Sequence, residues 1–368
     1  MVKAISYGEV FRKAVGMEDA EKLRKFKTVD IVRRLGVLSP DRTYLNNYPI
    51  RNPTAVFNPA IVVNGEYALV YARIVIGYYM YVSAIVRIDV PVEDIYSGNL
   101  NLNYYASQPV IYPSTRYDLW GAEDPRVYEV DGVTAMTYTG RTINYFNPAI
   151  RRERTLAITA IKVRNERWGN SWRKLHAYVF PRYLREHVVS DKDAFLAKAG
   201  SRFYLFHRPH MDDEVFYLAV SSTEVKDLAG EGLREVRIHD TTWVLRHSSF
   251  ESKLGWATPP IKIKDREFIT FVHAIDSEIQ AYRLFSMHIE VSEKEGVIIR
   301  AVTPNYIMEP KLSYEVFGDR PYTIFPCGLW LVEKDKALIS YGAADFMVGI
   351  GEIDVNELLS QLDKGRIM

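Results

Sequence analysis

A single cysteine, Cys327, only three glutamines and no apolar run long enough to cross a bilayer are what this 368-residue chain most visibly lacks. One thiol excludes an intrachain disulfide and fits a reducing compartment. The most apolar stretch, Ile74 to Val86, is bounded by Arg73 and Arg87 and falls short of the roughly 20 residues that a membrane helix needs. Net charge is also scarce, at +1 near pH 7. Bulk electrostatics therefore recruits neither nucleic acid nor an anionic membrane, and any phosphate site has to be local. Met1 leads into Lys3, Tyr7 and Glu9 rather than an apolar signal core, so a cytoplasmic location is expected. Many charges beside few glutamines and one cysteine fit a thermophilic source. With 48% hydrophobic and 25% charged residues, the remainder reads as an ordinary globular chain.

Gly121-Ala122-Glu123-Asp124-Pro125-Arg126 is the most informative stretch present. Two adjacent carboxylates are not both comfortably ionised once buried; one pKa is expected to rise, which suits a general acid. The same turn also reads as a solvated loop or a structural ion pair. Its place in a repeat favours the chemical reading. Five segments share a turn, an alternating β-rich strand and a polar ending. They run from Val63-Asn64-Gly65 to Arg73, from Val130-Asp131-Gly132 to Arg141, from Ala199-Gly200 to Arg208, from Lys264-Asp265 to His273, and from Lys334-Asp335 to Gly342. The endings Arg73, Arg141, Arg208, His273 and Gly342 are 68, 67, 65 and 69 residues apart. Strands and turns without a long helical pattern at that period predict an all-β, five-bladed β-propeller.

Asn58-Pro59, Asp124-Pro125, Lys192-Asp193, Pro259-Pro260 and Pro326-Cys327 each lie about one hairpin upstream of those endings. A hairpin returns its second strand to the level where the first began. Asn58, Arg73, Asp124, Arg141, Lys192, His207, Arg208 and His273 are thus expected around one central funnel. Strand ends are also polar simply because they reach water, which explains any one of these residues but not their matched recurrence. No cluster of His, Cys and carboxylates has metal-ligand spacing, so no metal is expected.

The chain ends differ from the repeats. Leu23, Phe26, Val29 and Val32 form a stripe that predicts an amphipathic helix over 17–35, with Lys22, Arg24, Lys25, Lys27, Arg33 and Arg34 on a solvated face. Asp354 and Glu357 have capping-box spacing ahead of Val355, Leu358, Leu359 and Leu362. The expected organisation is a helical extension over 1–45, the propeller over 46–353 and a C-terminal helix over 354–368. These helical appendages would brace the wheel or mediate homo-oligomerisation.

The motifs together resemble glycoside hydrolase family 130, the β-mannoside phosphorylases and their relatives, which are five-bladed β-propellers. The resemblance covers about Phe57 to Asp345. It rests on Phe57-Asn58-Pro59-Ala60, Gly121 to Arg126, Lys192-Asp193-Ala194, Leu205 to Pro209, Pro259-Pro260-Ile261, Gly318-Asp319, Phe325-Pro326-Cys327-Gly328 and Tyr341 to Asp345. It implies Asp124 as the catalytic acid and Arg141, Arg154 and Lys192 as phosphate ligands. The implied sugar-binding positions are Asn58, Arg73 and Asp319, with His207 and His273 near the funnel; Glu123, Asp193 and Arg208 join them as substrate-binding candidates. Tyr341 to Asp345 reads equally as closure of the last blade. In some members the acid reaches the glycosidic oxygen through a sugar hydroxyl.

The implied reaction is inverting phosphorolysis. A β-mannoside and inorganic phosphate, a co-substrate with no further cofactor, give α-mannose 1-phosphate and a shortened oligosaccharide. Phosphate is itself a nucleophile near neutral pH, so the reaction needs one acid and fixed cations but no second carboxylate base. Two departures stand out. The segment 142–153 between Arg141 and Arg154 is longer than the family pattern, leaving Arg151 or Arg152 as alternatives for the second arginine. The run Ile74-Val75-Ile76-Gly77-Tyr78-Tyr79-Met80 is apolar where relatives are polar, which points to a larger or more aromatic acceptor site. Trp120 and Trp256 read either as sugar-stacking or as packing residues. Rival functions are a β-mannoside hydrolase of the same fold, a non-catalytic glycan-binding propeller, and a five-bladed glycosidase acting on arabinans or fructans.

Overall fold

Short turns fold nearly every predicted hairpin where the sequence places it. In a computed structural model describing residues 6–77, 79–165 and 169–367, Asn64 leads into Gly65 (φ +61°), and Asp131-Gly132 forms a two-residue turn with φ +53° and +75°. Such turns need the left-handed backbone that Asn, Asp and Gly adopt cheaply. Met1, Lys3 and Tyr78, which entered the sequence reading, lie outside the described residues.

The architecture is mostly β, in sheets of nine, five, four and five strands. One five-stranded sheet holds Ala55–Asn64, Tyr67–Val75, Ser83–Pro91, Tyr105–Ile111 and the short Thr43–Leu45. The nine-stranded sheet contains two antiparallel runs, from Ala122–Val130 to Gly169–Val179 and from Val188–Ala199 to Arg234–Leu245. They are joined by parallel pairing of His176 with Arg234 through Val179 with Arg237. The other five-stranded sheet spans Glu251–Trp256 to Gly296–Val302. Ile324–Leu331, Lys336–Ala343 and Met347–Asp354 make the four-stranded sheet with Val32–Leu38 from the start of the chain.

The first strands of these runs form a ring. Ile324–Leu331 packs on Ala55–Asn64, which packs on Ala122–Val130; that strand meets Val188–Ala199, which in turn meets Glu251–Trp256. Tyr282–Ser292 closes the circuit onto Ile324–Leu331. Among the described residues no helix is long and apolar enough to cross a membrane.

The N-terminal expectation needs correction. The helix runs only over Met17–Leu23, and the end of the predicted helix, 32–35, instead belongs to the strand Val32–Leu38, antiparallel to Met347–Asp354. Between them Lys25, Val29 and Ile31 donate backbone hydrogen bonds to Pro304, Tyr306 and Ile307. Thr28, Val29, Ile31 and Val32 are β-branched and helix-poor, and an open sheet edge outcompetes the helical stripe. The C-terminal helix Val355–Asp363 starts at Asp354, whose carboxylate accepts from the amides of Asn356 and Glu357. Its Leu358 and Leu362 pack into the molecule's own core, as a brace would.

Arg24 latches the N-terminal segment to this framework. It donates to Glu251 Oε1 (3.1 Å) and to the Thr303 carbonyl (2.8 Å), and lies 3.7 Å from the Phe285 ring centroid. Both charged side chains are buried. Arg24→Ala strands the Glu251 carboxylate and is expected to cost about 3–5 kcal/mol in denaturant unfolding at neutral pH. A loss below about 1 kcal/mol, the range of an exposed pair, would show that the latch carries little.

Candidate active site

Three of the ring strands carry the same defect at the same place. Pairing skips between Phe57 and Ala60, between Glu123 and Arg126, and between Lys192 and Phe195. Asn58, Asp124 and Asp193 sit at these bulges with φ of +47°, +52° and +55°. A bulge re-aims a side chain out of the strand's alternation, and Asn and Asp tolerate the left-handed backbone better than other non-glycine residues. Gly342 allows the close approach this requires, since a Cβ there would lie 1.8 Å from Asn58 Oδ1. Gly255 does the same for Asp193 Oδ2, at 2.3 Å.

The bulges open into a cavity of about 650 Å³ that Asn58, Arg73, Glu123, Asp124, Arg141, Lys192, Asp193, Arg208 and Asp319 all line. Glu123 is its electrostatic centre. Its Oε1 accepts from Arg73 (3.0 Å) and from Arg141 Nε (2.9 Å), and its Oε2 from Lys192 Nζ (2.9 Å). Burial opposes ionisation of Glu123, yet Arg141, Arg73 and Lys192 together hold its carboxyl well below the usual range. Burial pushes the Lys192 ammonium down, with Glu123 opposing that shift.

Asp124 Oδ1 accepts from Asn58 Nδ2 (2.8 Å) and Arg73 (3.1 Å). Arg126, fully buried, donates to the Asp124 carbonyl (2.9 Å), to the carbonyls of Trp256 and Ala257, and to Asp193 (3.4 Å). One guanidinium thus fixes three ring strands. Arg208 Nε lies 3.1 Å and His273 Nε2 3.3 Å from Asp193 Oδ2. Burial pushes His273 down to about 4, against the pull of Asp193.

Three expected residues do not reach the cavity. Arg154 donates to the carbonyls of Tyr145 (2.8 Å) and Ile150 (3.4 Å), so it spans the inside of its own long loop. His207 is fully buried between Asp191 Oδ2 and Ser221 Oγ, both at 2.8 Å. His273 stands behind Asp193 against Phe325 and Tyr282. Trp256 is core, its indole donating to the Ala219 carbonyl, and Trp120 does not line the cavity.

The cavity also holds residues to which the sequence reading gave no role in binding, notably Lys253, Arg320 and Asp345. Arg320 follows the Gly318-Asp319 motif by one position, and Asp345 ends a segment equally readable as strand closure. Lys253 lies in the short strand Glu251–Trp256, outside every recurring motif. Burial and the neighbouring Arg208 push its ammonium well below the usual value. Six cationic side chains face five carboxylates here. A positive surplus around one cavity suits an anion and also offers hydrogen-bonding groups to hydroxyls.

These features make a polar, cation-rich cavity, and comparison with known proteins names the family. The chain belongs to glycoside hydrolase family 130, described as beta-1,4-mannooligosaccharide phosphorylase, which it matches over residues 22–364. It is 26% identical over 309 residues to a 1,2-beta-oligomannan phosphorylase of Thermoanaerobacter sp. (strain X514), covering 83% of this chain and 91% of that one. A beta-1,2-mannobiose phosphorylase of Listeria innocua, solved with beta-1,2-mannobiose, shares the fold with a TM-score of 0.64 at 17% identity, over 90% of this chain and 99% of the other. A family 130 structure, described with the statement that this family of mannoside phosphorylases contains glycoside hydrolases that target beta-1,2 mannosidic linkages in Candida mannan, superposes with a TM-score of 0.55 at 16% identity, over 94% of each chain.

Burial raises the Asp345 carboxyl to about 6, against Arg320 and Arg73. The folded protein then keeps a proton there that the unfolded chain sheds near pH 4, so Asp345 makes stability fall as pH rises from about 4 to about 6. Asp345→Asn is expected to remove that fall, worth about 1–3 kcal/mol in unfolding measured at pH 4.5 and 7.5. A wild-type-minus-variant difference that stays constant across the window would show that Asp345 is not shifted.

Proposed function

We propose that the protein is an inverting β-mannoside phosphorylase built on a five-bladed β-propeller with helical braces, each ring strand opening one blade. The observation that carries this reading is the gathering of Arg73, Arg141 and Lys192 on Glu123, beside Asp124 in one cavity. Asp124, held by Asn58 and Arg73, gives its proton to the glycosidic oxygen as the bond to the anomeric carbon breaks. An oxygen of inorganic phosphate, held by Arg141 and Lys192 with Lys253 and Arg320 in reach of the same space, attacks that carbon from the opposite face. The products are α-mannose 1-phosphate and an oligosaccharide shortened by one residue. Phosphate is a co-substrate and no other cofactor enters. The names of the related phosphorylases make β-1,2-linked mannosides the first substrates to try, and the family description adds β-1,4-linked ones. A cytoplasmic location follows from the substrate phosphate and the lone buried Cys327. Homo-oligomerisation through the terminal elements completes the proposal; Leu359 of the last helix is 40% exposed.

One observation favours hydrolysis as a second reading: Asp345 is a cavity carboxyl whose pKa near 6 suits a base that activates water. The two readings separate in one assay of β-1,2- and β-1,4-mannobiose with and without phosphate. Phosphorolysis predicts mannose 1-phosphate only when phosphate is present. Asp124→Asn is expected to lose turnover by about 10²–10⁴-fold, as for removal of a general acid, while still binding mannoside. Lys192→Ala is expected to raise the KM for phosphate. Free mannose released equally fast in phosphate-free buffer would establish the hydrolase instead.

A further inference from the structure

The residue that follows the apolar run after Arg73 and the long segment after Arg141, the two departures singled out in the sequence, meet at the cavity. Tyr81, just beyond the first, stacks on Tyr145 in the second, with ring centroids 6.3 Å apart and planes 29° off parallel. Tyr81 Oη donates to Asp319 Oδ2 at 2.7 Å, and the Arg141 guanidinium carbon lies 4.8 Å from the Tyr145 centroid. A continuous series of contacts therefore runs from Asp319 through Tyr81 and Tyr145 to Arg141, linking three separate connections of the chain. Phe146 stands edge-on to Tyr145 at 5.3 Å and 75°. Both Tyr145 and Phe146 line the cavity, yet they are 52% and 59% exposed.

The segment that carries these rings is held in shape from within. Asn144 Oδ1 accepts from the Phe146 amide and Asn147 Oδ1 from the Ala149 amide, both at 2.9 Å. Arg154 grips the Tyr145 carbonyl at 2.8 Å. A side chain expected to hold phosphate is spent on fixing the aromatic loop.

The chemistry of the two parts of the cavity differs. Asn58, Arg73, Asp124 and Asp345 offer charges and hydrogen bonds to one sugar ring and its hydroxyls, whereas Tyr145 and Phe146 offer exposed apolar faces. Phe57, Tyr81, Phe216, Tyr282 and Phe325 also line the cavity, but Tyr145 and Phe146 are more than half exposed. Large rings left open to water gain by being covered, and the C–H face of a pyranose covers them while its hydroxyls stay solvated. Phosphate gains nothing from such faces. We propose that Tyr145 and Phe146, braced by Tyr81, form the platform for the leaving-group sugar on the acceptor side of the cleaved bond, and that Arg154 is a positioning residue for that platform. The inference rests on the phosphorylase reading and adds a determinant of acceptor specificity to it.

Phe146→Ala is the cleanest probe, because it leaves Arg141 and its partner ring in place. In calorimetry on an Asp124→Asn background, mannobiose and mannotriose are expected to bind about tenfold more weakly after Phe146→Ala, the scale of one lost aromatic contact, with affinity for mannose and for inorganic phosphate unchanged. In the active enzyme the KM for oligosaccharide is expected to rise while kcat and the KM for phosphate hold; in the synthetic direction the acceptor KM rises and that of mannose 1-phosphate does not. Arg154→Ala is expected to show the same split, and Arg154→Lys to restore part of it. Unchanged oligosaccharide affinity in Phe146→Ala, or an equal loss of phosphate affinity, would overturn the platform. A rise in phosphate KM alone for Arg154→Ala would return that residue to the anion site. No binding of any mannoside by Asp124→Asn with Phe146 intact would instead sink the phosphorylase reading itself.

Discussion

Three cations cannot crowd into a buried space unless something negative is already there, and Glu123 is that something. Arg73, Arg141 and Lys192 come from three different ring strands or their partners and converge within 3.0 Å of one carboxylate that is itself 1% exposed. Removing Glu123 would leave the three repelling one another in a low-dielectric setting; removing any one of them would leave the others to meet its burial cost. The cluster is therefore cooperative, and it keeps a positive excess after Glu123 is satisfied. That excess gives the cavity a use for an anion, and it also places Arg73 where it can hold Asp124.

The backbone supplies the second constraint. Asn58, Asp124 and Asp193 leave the strand alternation through bulges at equivalent places, each with left-handed φ. A regular strand would turn alternate residues into the space between sheets, and these three side chains could not all face the axis. Arg126 then ties the Asp124 carbonyl to Asp193 and to the carbonyls of residues 256 and 257. Parts of three ring strands are thus joined by a single guanidinium with no exposure to water.

Much of this was legible because the determinants are local. Turn residues, the Asn-Pro and Asp-Pro pairs and the recurring polar endings each announce a backbone event, and the hairpins at Gly65, Gly132 and Gly200 lie where those signals put them. What was not legible depends on partners distant in sequence. The helical stripe that begins at Leu23 ends at Val32, where the strand Val32–Leu38 starts and completes a sheet whose other strands lie some 300 residues away. His207 occupies the same kind of strand ending as Arg208, but alternation sends it inward to Asp191 and Ser221 while Arg208 faces the cavity. A one-residue offset on a strand reverses the face, and motif spacing alone does not resolve it. Arg154 shows the same limit: its position next to a strand start was right for a ligand, but the loop ahead of it folds back and takes its hydrogen bonds.

The residues that spacing missed alter how the cavity is understood. Lys253 is pressed well below its usual pKa by burial and by Arg208, and Asp345 is raised to about 6 by burial. Both shifts come first from burial, which disfavours the charged form. A bound dianion acts on them in the same direction: it favours the protonated ammonium of Lys253 and disfavours ionisation of Asp345. Anion binding would therefore be linked to proton uptake, and it would also suppress the carboxylate form that hydrolysis requires of Asp345. In the proposed reaction the same charge pattern would thus work against water as the competing nucleophile.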